Sequence, residues 1–318
     1  MKQVIGIDVG KAELVIYAFG NYFTISNTKK DIKLFLKDQE KMLKGLDLIV
    51  FEATGGYERY LRDCIIEKNY PYHLAHPNNV RDFAKSEGYI AKTDKLDAKV
   101  IALFGEKSGK AIAEKPLPNA SIQQIRSLLD RRGQLLGEHT REQNRLQLIE
   151  DKWLKASIKR HIKWIDEELK CIEEEIKTVE KQSPEIHEKM ILLKSIPGVG
   201  DVIAQTIIGY LPEIEDCNEK SIAALVGVAP MNKDSGKCRK RRKIQGGRSA
   251  IRRVLYMGAL TAARHHAGIK VFFDRLRLKG KPYKVAITAA MRKLLIMIRS
   301  VLKRGTPWLE NLEKTLAI

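Results

Sequence analysis

Three short apolar runs open the chain before any segment shows helical spacing, and the first ends in an acid. Val4-Ile5-Gly6-Ile7-Asp8-Val9-Gly10 reads as a buried strand; residues 14–19 follow at hairpin distance, and residues 22–25 make a third strand. Residues 31–43 then place Ile32, Phe35 and Leu36 at helical spacing. Residues 46–51 form a fourth, wholly apolar strand apart from Asp47, and it delivers Glu52 at its end. After the turn Ala53-Thr54-Gly55-Gly56 come a helix over 57–68, a fifth strand over 71–75 and a mostly helical stretch over 78–107. The order is β-β-β-α-β-α-β-α.

A meander of three strands followed by alternation is the ribonuclease-H-like layout, in which the first and fourth strands lie side by side at the sheet centre. Asp8 and Glu52 would then be neighbours. Lys92-Thr93-Asp94-Lys95-Leu96-Asp97-Ala98 reads as the start of a late helix, with Asp94 and Asp97 three apart on one face. Acids at the ends of apolar strands are costly unless paired or bound to metal. Convergence of Asp8, Glu52, Asp94 and Asp97 is therefore read as a site for Mg²⁺, with Mn²⁺ as a substitute, since Mg²⁺ is held by a few carboxylates together with water and substrate phosphate oxygens. Two such cations could serve the attacking and the leaving oxygen of a phosphodiester.

The composition shifts at Pro116-Leu117-Pro118. The expected division is a metal domain over 1–115, a helical hairpin or coiled coil over 116–190 and a mostly helical domain over 191–318. In the middle, Ile158, Ile162, Ile165, Leu169, Ile172, Ile176 and Val179 alternate steps of four and three. That seam suits an intramolecular hairpin or a dimerising coiled coil equally. Further on, Ile196-Pro197-Gly198-Val199-Gly200 before a helix resembles a helix-hairpin-helix, in which Pro197, Gly198 and Gly200 would let backbone amides approach a phosphate. No acid occurs from Ser235 to Phe273, whereas Lys237, Arg239, Lys240, Arg241, Arg242, Lys243, Arg248, Arg252 and Arg253 crowd the loop and the helix after it. That is a phosphate-backbone footprint. Ser235 stands at its mouth, and a hydroxyl needs a base, a metal or dense positive charge to act as a nucleophile.

The whole chain of 318 residues carries a formal net charge of +19, which suits a polyanionic partner, nucleic acid above all, with an acidic membrane surface as the alternative. No apolar run approaches a membrane span, and no signal-peptide pattern opens the sequence. The four cysteines are scattered without C-x-x-C spacing, as expected of reduced thiols in a cytoplasm. The histidines, including the adjacent His265-His266, lack ligand spacing.

Taken together, Ile7-Asp8-Val9-Gly10-Lys11, Glu52 to Tyr57, Lys92 to Ala98, Ile196 to Gly200, Gly227-Val228-Ala229-Pro230 with Ser235-Gly236, and the closing helix from Lys284 resemble the DEDD transposases of the insertion sequence 110 family, relatives of the Piv-type invertases. The resemblance spans nearly the whole length. It implies a RuvC-like domain with Asp8, Glu52, Asp94 and Asp97 as the Mg²⁺ tetrad, and a transposase domain whose nucleophilic serine matches Ser235. It also implies a homo-oligomer, dimer or tetramer, and an element-encoded noncoding guide RNA. Gln245-Gly246-Gly247-Arg248 stands where a Gly-Asn-type turn is expected, and Cys238 interrupts the loop, which keeps Ser249 as a rival nucleophile. The alternative activity is a RuvC-like junction or structure-specific nuclease that uses metal-activated water.

Overall fold

The computed structural model describes residues 2–89, 93–108, 119–232, 234–235, 238–239 and 242–309. The chain divides into two compact units, Met1–Leu117 and Pro118–Ile318.

In the first unit β1 (Val4–Val9), β2 (Glu13–Ala18) and β3 (Asn21–Ser26) form the meander, and α1 (Lys29–Asp38) and a short α2 (Glu40–Leu43) lead into β4 (Leu48–Glu52). Then come α3 (Arg59–Glu67), β5 (Tyr72–Ala75), α4 (Pro77–Ser86) and α5 (Asp94–Ser108). The sheet order is β3-β2-β1-β4-β5. β1 pairs antiparallel with β2 and parallel with β4, so the two central strands run the same way and finish at the same edge. The period-2 alternation of strands sorts the apolar residues onto two faces. Ile5, Ile7, Ile49 and Phe51 pack with Ile32, Leu36, Leu61 and Ile65 of α1 and α3. Val4, Leu48 and Val50 pack with Val100, Ile101 and Phe104 of α5. By that parity Asp8 follows Val4 and Gly6 on the α5 face, and Glu52 follows Leu48 and Val50 there.

The second unit begins with α6 (Ala120–Leu148) and α7 (Lys152–Gln182). These two helices are the hairpin; the seam is used within the chain. Ile165, Ile172, Ile176 and Val179 share one core with Ile122, Ile125, Leu129 and Leu135. The cross-links Gln124–Glu175, Arg132–Glu173 and His139–Asp166 run in opposite numerical directions along the pair, as an antiparallel hairpin requires. Towards the tip the seam turns polar: Glu142 is buried and ion-paired with Arg145 at 2.6 Å, and His161 Nδ1 lies 3.4 Å from its carboxylate. Next come α8 (Pro184–Lys194), α9 (Asp201–Tyr210), a 3-10 turn (Pro212–Ile214) and α10 (Glu219–Val226). Four two-residue strands, β6 (Pro230–Met231), β7 (Asp234–Ser235), β8 (Cys238–Arg239) and β9 (Lys243–Ile244), lead to α11 (Ser249–His265), α12 (Ala267–Leu278) and α13 (Tyr283–Arg304). α12 is not evident in the sequence, where its mixed Arg, Phe and Leu content shows no clean stripe; His266 caps it, accepting a hydrogen bond from the Ile269 amide. Among the described residues no helix is long and apolar enough to cross a membrane.

Candidate active site

The acids meet because α5 can lie almost on the backbone of β1. A Cβ on Gly6 would stand 2.9 Å from the Cα of Ala102 and closer still to the Ala98 carbonyl oxygen and the Ala102 amide. Only the missing side chain admits that approach. At the far end of the helix, Gly105 fits against Val50 and Val4, where a Cβ would lie 2.5 and 2.7 Å from their methyl groups. The helix start is fixed by Thr93, whose hydroxyl accepts a hydrogen bond from the Leu96 amide at 3.2 Å while its carbonyl receives Asp97 N–H at 2.8 Å. Asp94 and Asp97 therefore occupy the first turn, above the end of β1.

Carboxylate oxygens of Asp8, Asp94 and Asp97 all lie within 4.8 Å of one another, with Asp94 exposed and the other two half-buried. Three hard oxygen donors at such separations suit a divalent cation of the Mg²⁺ or Mn²⁺ kind, whose octahedral shell is all oxygen. Glu52 is not one of the three. The β1–β4 register ends at Ile7↔Phe51, which sets Glu52 beside Asp8 on the same face, but its carboxylate lies outside the 4.8 Å group.

Ser235 belongs to the second unit. It lies on β7, in register with Cys238 of β8, and the outer pair β6–β9 joins Pro230 to Ile244 and Met231 to Lys243. The described residues of the basic segment thus pair as a β-arm. Lys237, Lys240 and Arg241 lie outside the described residues, and of Arg239 the backbone alone is described. Arg242, Lys243 and Arg253 are exposed, as is the rival serine, Ser249, at the start of α11. Arg248 and Arg252 have a different occupation. Arg248 donates to the Tyr210 carbonyl at 2.6 Å and pairs with Glu213. Arg252 donates to the carbonyls of Gly246 and, at 3.4 Å, Val226. Both close the neck of the arm, where Gly227 and Gly247, at φ 76° and 72°, are in backbone contact. Tyr210 in turn donates to Asp130 at 2.5 Å, and burial followed by that carboxylate raises its phenol far above the ordinary range.

The Pro-Gly-x-Gly turn joins α8 to α9. Gly198, at φ 96°, packs against α11, with a Cβ there 2.9 Å from the Gly258 carbonyl oxygen and 3.0 Å from the Ala262 Cβ. Gly200 is exposed and caps α9 in extended backbone. A groove of about 780 Å³ opens beside the turn, lined by Pro197, Val202, Val254 and Met257 as well as Lys194 and Arg253.

Two family models match this chain. One describes a DEDD transposase of the IS110 type and covers residues 5–149; the other describes the transposase IS116/IS110/IS902 family and covers residues 190–274. The chain belongs to the IS110 family of DEDD transposases. It is also similar to the pilin gene-inverting proteins of Moraxella bovis and Moraxella lacunata, each 26% identical over 96% of this chain and 98% of the relative. Membership makes the chain a DNA-recombining enzyme.

In this transposase the acids are supported by residues that give little signal in the sequence. Gly6 is one. Glu58 is another: its carboxylate accepts from the amides of Thr54 (3.1 Å) and Gly56 (2.8 Å) and from the Thr54 hydroxyl (3.1 Å), which locks the turn after Glu52. Burial pushes the Glu58 carboxyl up, but these hydrogen bonds outweigh it and hold the group below the usual carboxylate range. Its spacing from Thr54 is the one clue, since a Thr four residues before a Glu in a Gly-Gly turn offers donors to a carboxylate.

Proposed function

We propose that the chain cuts and rejoins DNA at element ends and targets through a covalent link to Ser235, with Asp8, Glu52, Asp94 and Asp97 serving Mg²⁺ in an RNase-H-like domain. The observation that carries this reading is the convergence of Asp8, Asp94 and Asp97 at the edge where both central strands finish. A bound divalent cation would neutralise phosphate charge and polarise the scissile ester. Asp8, Asp94 and Asp97 would supply its oxygen donors, with Glu52, beside Asp8, as the fourth acid of the site. Ser235 gives up its hydroxyl proton and forms a P–Oγ bond as one P–O ester bond of the strand breaks, leaving a free strand hydroxyl. Exchange of one ester for another conserves the bond, so attack by a different strand hydroxyl rejoins DNA and frees the serine. The exposed cations Arg242, Lys243 and Arg253, with Lys237, Arg239, Lys240 and Arg241 of the same arm, neutralise the backbone.

The family likeness extends the reading to an element-encoded noncoding RNA and to a homo-oligomer, and the +19 charge suits two nucleic acids as partners. The test is a DNA substrate with a nick or a bridging phosphorothioate beside the cut. A protein–DNA adduct that survives denaturation and disappears in Ser235→Ala, but not in Ser249→Ala, supports the reading. Hydrolysis that persists in Ser235→Ala, dependent on Mg²⁺ and abolished by Asp8→Asn, replaces it with the metal-activated water of a structure-specific nuclease.

A further inference from the structure

The hydrogen-bonded ladder between β1 and β4 ends at Ile7↔Phe51, one residue short of both Asp8 and Glu52. Past that point a side chain from elsewhere spans the two exits. Asn27, between β3 and α1, is buried at 9% exposure. Its amide nitrogen donates to the Gly10 carbonyl at 2.9 Å and to the Tyr57 carbonyl at 3.0 Å. Gly10 stands two residues past Asp8, and Tyr57 five past Glu52. Asn27 is fastened to the first loop a second time, through its own amide to the Ala12 carbonyl at 2.8 Å. Each exit is also stiffened internally, by Gly10 N–H to the Glu13 carbonyl at 2.9 Å and by the Glu58 carboxylate on the Thr54 and Gly56 amides.

We propose that Asn27 is a positioning residue for the metal centre, tying the loop after Asp8 to the loop after Glu52 so that both carboxylates approach a divalent cation at a set separation. The chemistry selects the residue. Two carbonyls must be satisfied from one point, and a primary amide nitrogen carries two N–H donors where a hydroxyl has one and a carboxylate none. The amide oxygen is buried with no hydrogen-bond partner among the described residues, so the side chain is kept for its donors despite an unsatisfied acceptor. Groups that orient metal ligands from behind commonly alter metal affinity 10- to 100-fold when removed.

This inference rests on the metal reading of the acidic group, and the experiment separates the two. Mn²⁺ binding to the full-length protein is titrated by electron paramagnetic resonance for the parent, Asp8→Asn, Asn27→Ala and Asn27→Asp, with folding followed by circular dichroism. Asn27→Ala is expected to weaken Mn²⁺ binding about tenfold, and its DNA cleavage is expected to recover when Mg²⁺ is raised, which a general loss of structure would not allow. Asn27→Asp keeps the shape and removes both donors. Its added charge alone would tighten cation binding, so weaker binding in this variant marks the lost tie, and it decides the matter if Asn27→Ala does not fold. Affinity equal to the parent or tighter in the folded Asn27 variants, with Asp8→Asn still weakened, overturns the tie and leaves the metal centre standing. Unchanged binding in Asp8→Asn overturns both.

Discussion

Gly6→Ala adds one methyl group at the place where the fold has no room for it. The new Cβ would stand 2.9 Å from the Ala102 Cα, against about 3.5–4.0 Å for ordinary carbon–carbon contact. The obstacles are helix backbone, which cannot rotate away as a side chain can, so α5 must retreat by about 1 Å. Overpacking of this kind costs about 1–3 kcal/mol of stability. The functional cost is the larger one, because Asp94 and Asp97 ride on the displaced helix while Asp8 stays on the strand. Metal–ligand distances tolerate about 0.2 Å, and a 1 Å misplacement of reacting groups costs about 100-fold in rate. Gly6→Ala should thus remain folded, with a lowered melting temperature, weakened Mn²⁺ binding and DNA cleavage down about 100-fold at fixed Mg²⁺. Gly105→Ala is the control. Its Cβ meets the methyl ends of Val50 and Val4, which can shift, and it lies 11 residues from Asp94, about 16 Å along the helix. It should cost stability and spare Mn²⁺ binding. Equal Mn²⁺ affinity in Gly6→Ala and parent, by calorimetry or paramagnetic resonance, would refute the claim that this contact sets the metal centre.

Asp97→Asn keeps the helix cap and removes one anionic donor; DNA cleavage should fall at least 100-fold while DNA binding in the absence of metal is unchanged or tighter, read by filter binding. Glu58 is a carboxyl whose folded value is depressed, so the stability it confers is complete above the unfolded value of about 4.3 and is lost as pH falls through the lower folded value. Denaturation midpoints measured from pH 5 down to 3 should therefore drop less steeply in Glu58→Gln than in the parent, and parallel curves would contradict this. Arg248→Ala should cost about 2 kcal/mol by stranding its charged partner and leave the salt dependence of DNA binding unaltered, whereas the exposed Arg253→Ala should lower the log–log salt slope by about 1 with little change in melting temperature. The reverse pattern would put Arg248 on DNA and return Arg253 to the fold.

The strand order was legible because β1 and β4 are apolar runs bounded by turn residues, and an acid closing such a run is conspicuous. Asp94 and Asp97 were legible by their helical spacing, and the structure brings them to Asp8. The supports were not. Gly6 looks like any small residue in a strand, because its meaning lies in a helix 92 positions later. Asn27 looks like a turn residue, and its two carbonyl partners lie 17 and 30 positions away. The seven-position seam could not say whether its partner was in the same chain, because heptad spacing specifies a stripe and not the helix that covers it. The three-residue connection between α6 and α7 and the matching stripe on α6 decide it here.

The basic arm separates two uses of arginine that composition cannot tell apart. Every cation from Lys237 to Arg253 contributes equally to a net charge, and a count treats all of them as phosphate contacts. Their geometry does not. Arg248 and Arg252 meet carbonyls and a carboxylate at the neck, beside two glycines whose left-handed backbone lets the chain cross itself. If Ser235 acts as proposed, its arm needs a root that does not swing, since any freedom there is multiplied along its length. A guanidinium suits that root because its rigid fork satisfies several carbonyl and carboxylate oxygens at once and stays charged. Arg242, Lys243 and Arg253 are left exposed, and under the proposed reading they are the ones that would follow a phosphate backbone. Among the described residues the basic stretch therefore divides into arginines bonded to the fold and cations left exposed, and only the exposed ones should make DNA binding respond to salt.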